Sequence, residues 1–304
     1  MILHKDKENF EIAINVTSRY FNVSPAIVEK DYFVTLVLNE LTKKVPELLF
    51  KGGTSLSKCF KIIDRFSEDI DITLSCENLS QAKRKNLKNA ILTVCENLEL
   101  KIVNEKDIKS RRDYNCYVVD YLSKNSLLGL NPQLLIETSF IVKSFPEEIK
   151  DASSMIYDYL KINGNDETIK KYGLEPFSIR VQTLERTFID KVFALCDYML
   201  DKKVDRQSRH IYDLSRLVNV ITLDDNFKKL VKEVREDRKS GTKCYSAQDE
   251  VRVSELLKQI IDTEYFKRDY ENSTMKLLSK TILYEDAIKV LDVIIKSKVF
   301  DIEN

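Results

Sequence analysis

The sequence is poor in the residues that interrupt packed structure and in those that build zinc or disulfide sites. It has 6 glycines and 5 prolines among 304 residues and no Ser/Gly-rich linker, so its parts are expected to pack directly on one another. Two histidines, His4 and His210, are too few for a histidine-based zinc cluster. The 6 cysteines include no CxxC pair, which predicts reduced thiols.

The chain also lacks a net charge and a long apolar run. Lysine plus arginine and aspartate plus glutamate both number 49, so no global positive field favours nucleic acid, although a local basic patch remains compatible with this balance. No apolar run approaches the roughly 20 residues that a bilayer span needs, and the first ten residues have no signal-peptide core. These features predict a cytoplasmic protein without a membrane segment.

The order of the sequence patterns divides the chain into two parts. Helical and strand-like patterns alternate in the first half, whereas the last 120 or so residues have helical patterns throughout, and no internal repeat is present. With 43% hydrophobic residues, the chain can bury one large core or two modest ones. The sequence predicts an α/β lobe over residues 1–180 and an all-α lobe over 181–304.

A strand, a glycine turn and a helix are predicted near residue 50. Ser24 and Pro25 form a good N-cap and first-turn pair for an earlier helix. The short apolar run at 48–50 then predicts a strand that ends at Lys51. After the glycines, apolar residues at i, i+3, i+4 and i+7 predict a helix that continues to residue 66. These residues are Leu56, Cys59, Phe60 and Ile63.

Two aspartates alternate with apolar residues directly after this helix. Asp69 and Asp71 are two residues apart on a predicted strand, so their side chains project to one face. Their mutual repulsion is relieved if a divalent cation lies between them, and Mg²⁺ commonly binds one or two carboxylates together with substrate phosphates. On a solvent-facing edge, however, the same pattern would be ordinary polar alternation.

The glycine pair provides a candidate phosphate site beside these aspartates. Gly52 and Gly53 allow close approach of the backbone to a phosphate, and the following helix offers unpaired N–H groups at its start. Thr54 and Ser55 add hydroxyl donors. Alone, a glycine pair before a helix is usually only a turn. Adjacent phosphate and metal sites are what nucleotidyl transfer from a triphosphate requires.

These two motifs resemble the signature of the AbiEii/AbiGii family of nucleotidyltransferase toxins. The resemblance rests on FKGGTSLSK at 50–58, RFSEDID at 65–71 and the upstream EKDY at 29–32. It implies an α+β fold whose N-terminal lobe is a polymerase-β-like nucleotidyltransferase with a mixed sheet, followed by the all-α lobe. The interval from Gly53 to Asp69 is slightly longer than the general nucleotidyltransferase pattern but suits this family, and it leaves either Thr54 or Ser55 as the hydroxyl on the phosphate. The resemblance implies that the nucleotide-binding residues are Gly52, Gly53, Thr54, Ser55, Lys58 and Arg65.

A third carboxylate is expected on a neighbouring strand, because polymerase-β-like sites carry one. Glu137 lies within the apolar run 134–140, where a lone buried carboxylate would be costly without a partner. Asp120 has a similar context at 117–121. The resemblance places the third acid near Glu137, and we favour it over Asp120.

The helical part contributes a lysine and an aspartate. Lys191 falls on the apolar stripe of a predicted helix with Leu184, Phe188 and Leu195, where its ammonium either binds an anion or reaches water beyond a packed stem. The family has a lysine in this motif, which implies a triphosphate-binding or catalytic role.

Asp213 lies in RHIYDL at 209–214, which is similar to the family's later motif. The resemblance implies that Asp213 orients Lys191 or accepts a proton. Asp213 and Arg209 are also spaced as an ordinary surface ion pair on a helix.

Beyond residue 222 the sequence shows helical periodicity without recognisable chemistry. One local basic stretch is either a solvated helix face or a contact for RNA phosphates. It consists of Lys228, Lys229, Lys232, Arg235, Arg238 and Lys239.

Together these observations predict a toxin of a bacterial toxin–antitoxin or abortive-infection system. The expected reaction transfers a nucleoside monophosphate from a nucleoside triphosphate, with Mg²⁺ or Mn²⁺, to an acceptor hydroxyl. The resemblance implies RNA as acceptor, in particular the 3′ end of tRNA, and an antitoxin encoded beside the toxin. Nucleotidylation of a protein, or nucleotide binding without turnover, would be served by the same residues.

Overall fold

The computed structural model describes residues 2–67, 69–75, 78–121, 123, 125, 131 and 133–301. Glu68 of the second motif and Cys76 lie outside these residues. The described chain forms a single seven-stranded sheet. Its strands are β1 (Leu48–Lys51), β2 (Asp69–Leu74), β3 (Lys101–Ile102), β4 (Tyr114–Asp120), β5 (Leu134–Ser139), β6 (Glu147–Ala152) and β7 (Phe177–Gln182).

The sheet is mixed, as predicted. The strand order is β3-β4-β5-β2-β1-β7-β6. β2 is antiparallel to β1 and parallel to β5, while β4 is antiparallel to β5 and β1 is parallel to β7. The two motif strands β1 and β2 are therefore central neighbours, with β5 on the other side of β2.

The helices fall into an early and a late group. Six accompany the sheet strands: α1 (Lys7–Phe21), α2 (Pro25–Lys44), α3 (Gly52–Lys58), α4 (Gln81–Asn97), α5 (Met155–Ile162) and α6 (Asp166–Tyr172). The later ones are α7 (Leu184–Leu200), α8 (Arg209–Leu217), α9 (Asp225–Lys239), α10 (Val253–Asp262), α11 (Lys267–Asp269), α12 (Tyr284–Ala287) and α13 (Lys289–Ser297). None of the helices in these described ranges has the length and apolarity needed to span a bilayer.

The chain separates into two compact units. The first comprises Met1–Phe60, Ser67–Phe140 and Glu147–Val181, and the second comprises Lys61–Phe66, Ile141–Pro146 and Gln182–Asn304. The chain passes from the first unit to the second for the last time after Val181, whereas the sequence predicted a division after residue 180. Two short segments of the first half, 61–66 and 141–146, also belong to the helical unit. Segment 61–66 matters most, since it joins α3 to β2.

The helix predicted to continue to residue 66 is shorter than expected. α3 ends at Lys58, and residues 60–67 form an irregular segment. Within the helical unit this segment bonds to a distant loop, because Phe66 N donates to Leu277 O at 3.0 Å and Ser279 N donates to Asp64 O at 2.8 Å. The local apolar spacing favoured a helix, but the backbone of this segment forms hydrogen bonds with the distant loop instead of helical ones.

One face of the sheet is buried and the other is partly exposed. One face carries fully buried side chains at alternate positions of β2 and β5, namely Ile70, Ile72, Leu134 and Ile136. They are buried because helices including α2 pack on that side. The residues between them point to the opposite face. That opposite face carries the polar residues of the two motif strands.

Helix α2 starts as the sequence predicts, with the Ser24 hydroxyl accepting from Ala26 N. Its charged triplet anchors three different segments instead of facing solvent. Glu29 accepts from Ser123 and Asn125, and Lys30 donates to Asn131 O at 2.8 Å. Asp31 pairs with Lys58 of α3. Glu29 and Lys30 are buried and Asp31 is half-buried, and each of these charges has a specific partner, as a buried charge requires.

Candidate active site

A row of polar side chains crosses the open face of the sheet. Asp71 on β2 lies between Lys51 on β1 and Glu137 on β5. Glu137 in turn lies opposite Cys116 on β4. All four residues are partly exposed, and residues directly opposite one another share a face. Asp71 and Glu137 are therefore immediate neighbours across two parallel strands.

Asp69 adds a third carboxylate to this row. It is two residues before Asp71 and lies opposite Leu135, so it points to the same face. The intervening Ile70 is fully buried on the other side. We call Asp69, Asp71 and Glu137 the carboxylate face. Its partial exposure argues against ordinary alternation on a solvent-facing edge, since β2 is a central strand.

The concentrated negative charge changes the acidity of two neighbours on β4. Burial, followed by the charges of Glu137 and Asp69, raises the pKa of Cys116 to about 11. Burial and the charge of Glu137 also raise the pKa of Tyr114. Both groups therefore remain protonated near neutral pH. Tyr114 and Cys116 lay outside the sequence hypothesis, because only the register with β5 brings them to the site.

The register also separates the two candidates for the third acid. Glu137 is level with Asp71 on the adjacent strand. Asp120 lies on β4, beyond β5 from β2, and is opposite Lys101 of β3. Glu137 is therefore the acid next to the motif aspartates, as the resemblance implied, while its chemical role stays a prediction.

The donor chemistry of the carboxylate face fits a divalent cation that arrives with a nucleotide. In the described ranges, no three His, Cys, Asp or Glu side chains are grouped closely enough to hold a metal ion by themselves. Mg²⁺ characteristically uses one or two carboxylates and takes its remaining ligands from water and substrate phosphates. Asp71, with Asp69 or Glu137, satisfies that smaller requirement.

Gly52 is required by its close approach to one of these aspartates. Its φ is +78°, and a Cβ added there would lie 2.0 Å from Asp71 Oδ2 and 3.0 Å from Asp71 Cβ. Only glycine fits, since a side chain would both strain the backbone and displace the carboxylate. The glycine motif and the Asp-x-Asp motif are thus in direct steric contact.

We expect Gly52→Ala to lose nucleotidyl transfer far more than it loses stability. The new methyl group must rotate or expel the Asp71 carboxylate, whereas the strain of a positive φ costs about 1 to 2 kcal/mol. Gly173→Ala is a matched control, because its φ is +61° and nothing lies within 4 Å of the added Cβ. Transfer rates and urea unfolding of both variants test this. Equal activity in the two variants would contradict the steric assignment.

The two hydroxyl residues after the glycines differ in their local bonds. Thr54 Oγ1 donates to Ser67 Oγ at 2.9 Å, and Ser55 Oγ donates to Gly52 O at 2.8 Å. Both residues are buried. The Thr54 bond links α3 to the residue two before Asp69, and the Ser55 bond closes the first turn of α3. Which hydroxyl contacts a phosphate stays open, as in the sequence.

Lys58 has a different environment from the one expected of a nucleotide ligand. Its ammonium donates to Asp31 Oδ1 and Thr35 Oγ1, each at 2.6 Å, and its side chain is 5% exposed. The second Asp31 oxygen accepts from Met155 N at 2.7 Å. The pair therefore joins α3 to α2 and to the start of α5. A direct contact of Lys58 with nucleotide stays a prediction.

The helical unit contains a separate buried ionic cluster. Arg65 donates to both carboxylate oxygens of Asp213, at 2.6 and 2.7 Å. Lys191 Nζ donates to Asp213 Oδ2 at 2.6 Å. All three residues are at most 5% exposed. The expected pairing of Lys191 with Asp213 is present, and Asp213 is not the surface partner of Arg209 that its helical spacing also allowed.

Two cations share one carboxylate in this cluster. Burial would raise the pKa of Asp213, but the charges of Arg65 and Lys191 outweigh it and hold that pKa far below its usual value. Burial lowers the pKa of Lys191, an effect that Asp213 opposes and Arg65 reinforces. No local pattern signalled Arg65 as the third member, because it comes from segment 61–66.

The site residues therefore form two groups. Asp69, Asp71 and Glu137 stand with Gly52 in the sheet unit. Arg65, Lys191 and Asp213 stand together in the helical unit. The fold combines a mixed sheet, paired acids on β2, a glycine turn before α3 and a further acid on β5. This combination is typical of nucleotidyltransferases.

The chain belongs to the family described as the nucleotidyl transferase AbiEii toxin of type IV toxin–antitoxin systems, whose sequence profile matches residues 37–290. Among solved structures it is similar to MenT4, a nucleotidyltransferase toxin from Mycobacterium tuberculosis H37Rv, with a TM-score of 0.54 and 16% identity over 95% of this chain and 90% of that one. No curated protein matches it in sequence. The family confirms a nucleotidyltransferase toxin with an antitoxin partner, and the structural likeness confirms the α+β fold.

Proposed function

We propose that this toxin transfers a nucleoside monophosphate from a nucleoside triphosphate to a hydroxyl group of RNA, with the 3′ end of tRNA as the acceptor. The acceptor oxygen forms a bond to the α-phosphorus, the bond from that phosphorus to the β-phosphate oxygen breaks, and pyrophosphate leaves with the hydroxyl proton released. The observation that carries this proposal is the placement of Asp71 beside Glu137, with Asp69 on the same face and Gly52 against Asp71.

The carboxylates are proposed to bind Mg²⁺ or Mn²⁺ together with the triphosphate. When bound, that cation neutralises phosphate charge and orients the transferred group. Asp69 and Asp71 are its proposed ligands, and Glu137 is the proposed third acid. Gly53 and the backbone at the start of α3, with the Thr54 and Ser55 hydroxyls, are proposed to hold a phosphate.

The buried ionic cluster of Arg65, Lys191 and Asp213 is proposed to offset negative charge that develops on the phosphates. Lys191 is the proposed donor and Asp213 its orienting partner, because their ion pair is buried and 2.6 Å long. We propose that Arg65 and Lys58 act by position: Arg65 holds Asp213 in a two-bond fork, and Lys58 holds α3 against α2. Direct contact of either residue with the nucleotide, which the resemblance implies, stays a prediction.

A labelled-triphosphate screen tests the function and its alternatives together. Each α-labelled triphosphate is incubated with the toxin and a cell lysate, with Asp71→Asn as the blank. We expect label in a ribonuclease-sensitive, protease-resistant product. Protease-sensitive label would instead establish protein nucleotidylation. Triphosphate binding without any labelled product would establish an interaction protein without turnover. We also propose that the toxin acts in the cytoplasm. Its proposed protein partner is an antitoxin encoded beside it.

A further inference from the structure

A strong local excess of positive charge lies in the sheet unit, although the whole chain is neutral. Residues 81–88 contain no acidic residue, and residues 105–113 contain Glu105, Asp107 and Asp113. Against these three acids stand eight basic residues. They are Lys83, Arg84, Lys85, Lys88, Lys106, Lys109, Arg111 and Arg112.

The fold joins these two segments into one surface. Gln81 Nε2 donates to Ser110 Oγ at 3.0 Å, and Lys88 Nζ donates to Ile108 O at 3.0 Å. The first two turns of α4 therefore lie along the 105–113 loop. We call this surface, formed by residues 81–88 and 105–113, the α4–loop basic surface.

Most of this charge remains exposed and unbalanced by acids of the surface itself. Asp113 pairs with Arg84 at 2.7 Å. Lys109 and Arg112 donate to the backbone carbonyls of Lys106 and Asp107, which fixes their positions without neutralising them. Lys85, Lys106, Lys109, Arg111 and Arg112 are all exposed. A fixed array of exposed cations is suited to a polyanion.

The surface is continuous with the carboxylate face. Tyr114 directly follows Asp113, is 45% exposed, and lies on β4 two residues before Cys116, which is opposite Glu137. Phe140, at the end of β5, carries the Arg84 guanidinium 5.0 Å above its ring. Its backbone N donates to Asp113 O at 2.8 Å. Aromatic rings thus lie at the junction between the cations and the acids, where unpaired bases can stack.

The other basic stretch of the sequence does not offer a comparable surface. On α9, Arg235 donates to the carbonyls of Ala247, Gln248 and Val251, and Arg238 pairs with Asp190 and Asp197. Both arginines are buried. Of the basic residues of α9, Lys229 and Lys232 are exposed and Lys228 and Lys239 are half-buried. An RNA contact on this helix, one of the two alternatives that the sequence allowed, would therefore lack its arginines.

We propose that the α4–loop basic surface binds the phosphate backbone of the RNA acceptor and leads its 3′ end past Tyr114 to the carboxylate face. This inference rests on the proposed function, because it assigns that function's acceptor to a surface. The contacts are to phosphates, so affinity depends on charge and salt and little on sequence.

The test compares two triple variants that each remove three surface charges. The first is Lys109→Ala/Arg111→Ala/Arg112→Ala on the proposed surface, and the second is Lys228→Ala/Lys229→Ala/Lys232→Ala on α9. Both are made in full-length Asp71→Asn protein, so that RNA is bound without turnover. Affinity for deproteinised total tRNA is measured by fluorescence anisotropy between 50 and 200 mM salt, and thermal unfolding checks that both variants fold.

We expect the first triple variant to bind tRNA at least about tenfold more weakly at low salt, with the slope of log K against log salt reduced by about 2. The α9 triple variant should keep the parental affinity and slope. Equal losses in the two variants, or unchanged binding in the first, would overturn the proposal. So would a first variant that loses antitoxin binding while its tRNA binding is unchanged.

The same triple variants with Asp71 intact separate this inference from the function itself. If RNA is still labelled at the parental rate by the first triple variant, the surface is wrong and the function stands. If no RNA is labelled or bound by the parent while protein is labelled, both the RNA acceptor and this surface are overturned, and nucleotidyl transfer stands.

Discussion

Asp71→Asn is expected to abolish nucleotidyl transfer while leaving the protein at least as stable as the parent. Asp71 is the acid that stands between Lys51 and Glu137 and against Gly52. Its loss removes a proposed cation ligand, which is worth several kcal/mol of transition-state stabilisation, or a rate loss of about 10³-fold or more. Its loss also relieves repulsion from Asp69 and Glu137, so unfolding should not become easier.

Asp120→Asn is the matched control for this prediction. Asp120 is also a partly exposed aspartate on the open face of the sheet, but it lies opposite Lys101 of the edge strand β3 and is separated from β2 by β5. Its variant should retain parental transfer, Asp69→Asn should behave like Asp71→Asn, and Glu137→Gln should be impaired. Single-turnover transfer rates and urea unfolding provide the measurement. Parental rates in Asp71→Asn, or a severe loss in Asp120→Asn with an active Glu137→Gln, would reject the assigned ligands.

If growth inhibition is the cellular readout, the same variants give a second measurement. Cells expressing Asp69→Asn or Asp71→Asn should grow normally, because toxicity by transfer requires turnover. Toxicity that persists in both variants, with transfer abolished, would mean that binding alone inhibits growth.

Lys191→Ala is expected to lower transfer by about 2.7 to 4 kcal/mol in barrier terms, the effect of removing one preorganised electrostatic donor. Lys191 is buried against Asp213 with Nζ and Oδ2 2.6 Å apart. Asp213→Ala should give a defect of the same kind, and the double variant should be little worse than the worse single variant, because the pair acts as a unit. Additive losses would remove Asp213 from the site.

Stability must be measured beside activity for these variants. Removing one member of a buried ion pair typically destabilises a protein by about 3 to 5 kcal/mol, and Asp213→Ala leaves both Arg65 and Lys191 without their shared acid. Arg238→Ala is the matched control. Arg238 bonds Asp197 at 2.8 Å in the same helical unit, so its loss should reduce stability by a comparable amount while the folded protein remains active. An activity loss in Arg238→Ala equal to that in Lys191→Ala would mean that the Lys191 defect is only structural.

The positions and faces of the motif strands followed from the sequence alone. Alternation at 69–74 predicted the strand and the common face of Asp69 and Asp71, and the helix start at Ser24 and Pro25 was correct, because period and capping are local properties. The apolar stripe likewise placed Lys191 on the packed face of its helix, and it allowed the ammonium either to bind an anion or to reach water. These features depend on residues within one or two turns of each other, so no partner had to be known.

The tertiary structure decided which distant residues meet. The register of β2 with β5 placed Glu137 beside Asp71, and the register of β4 with β5 placed Cys116 opposite Glu137 and Tyr114 two residues away on the same face, since register depends on the whole sheet. Segment 61–66 is irregular instead of helical, and it places Arg65 in contact with Asp213, which lies 148 residues away in sequence. From sequence alone a charged residue is expected to face water, yet the arginines of α9 and Glu29 and Lys30 of α2 are buried. Burial of a charge depends on a partner that only the fold supplies.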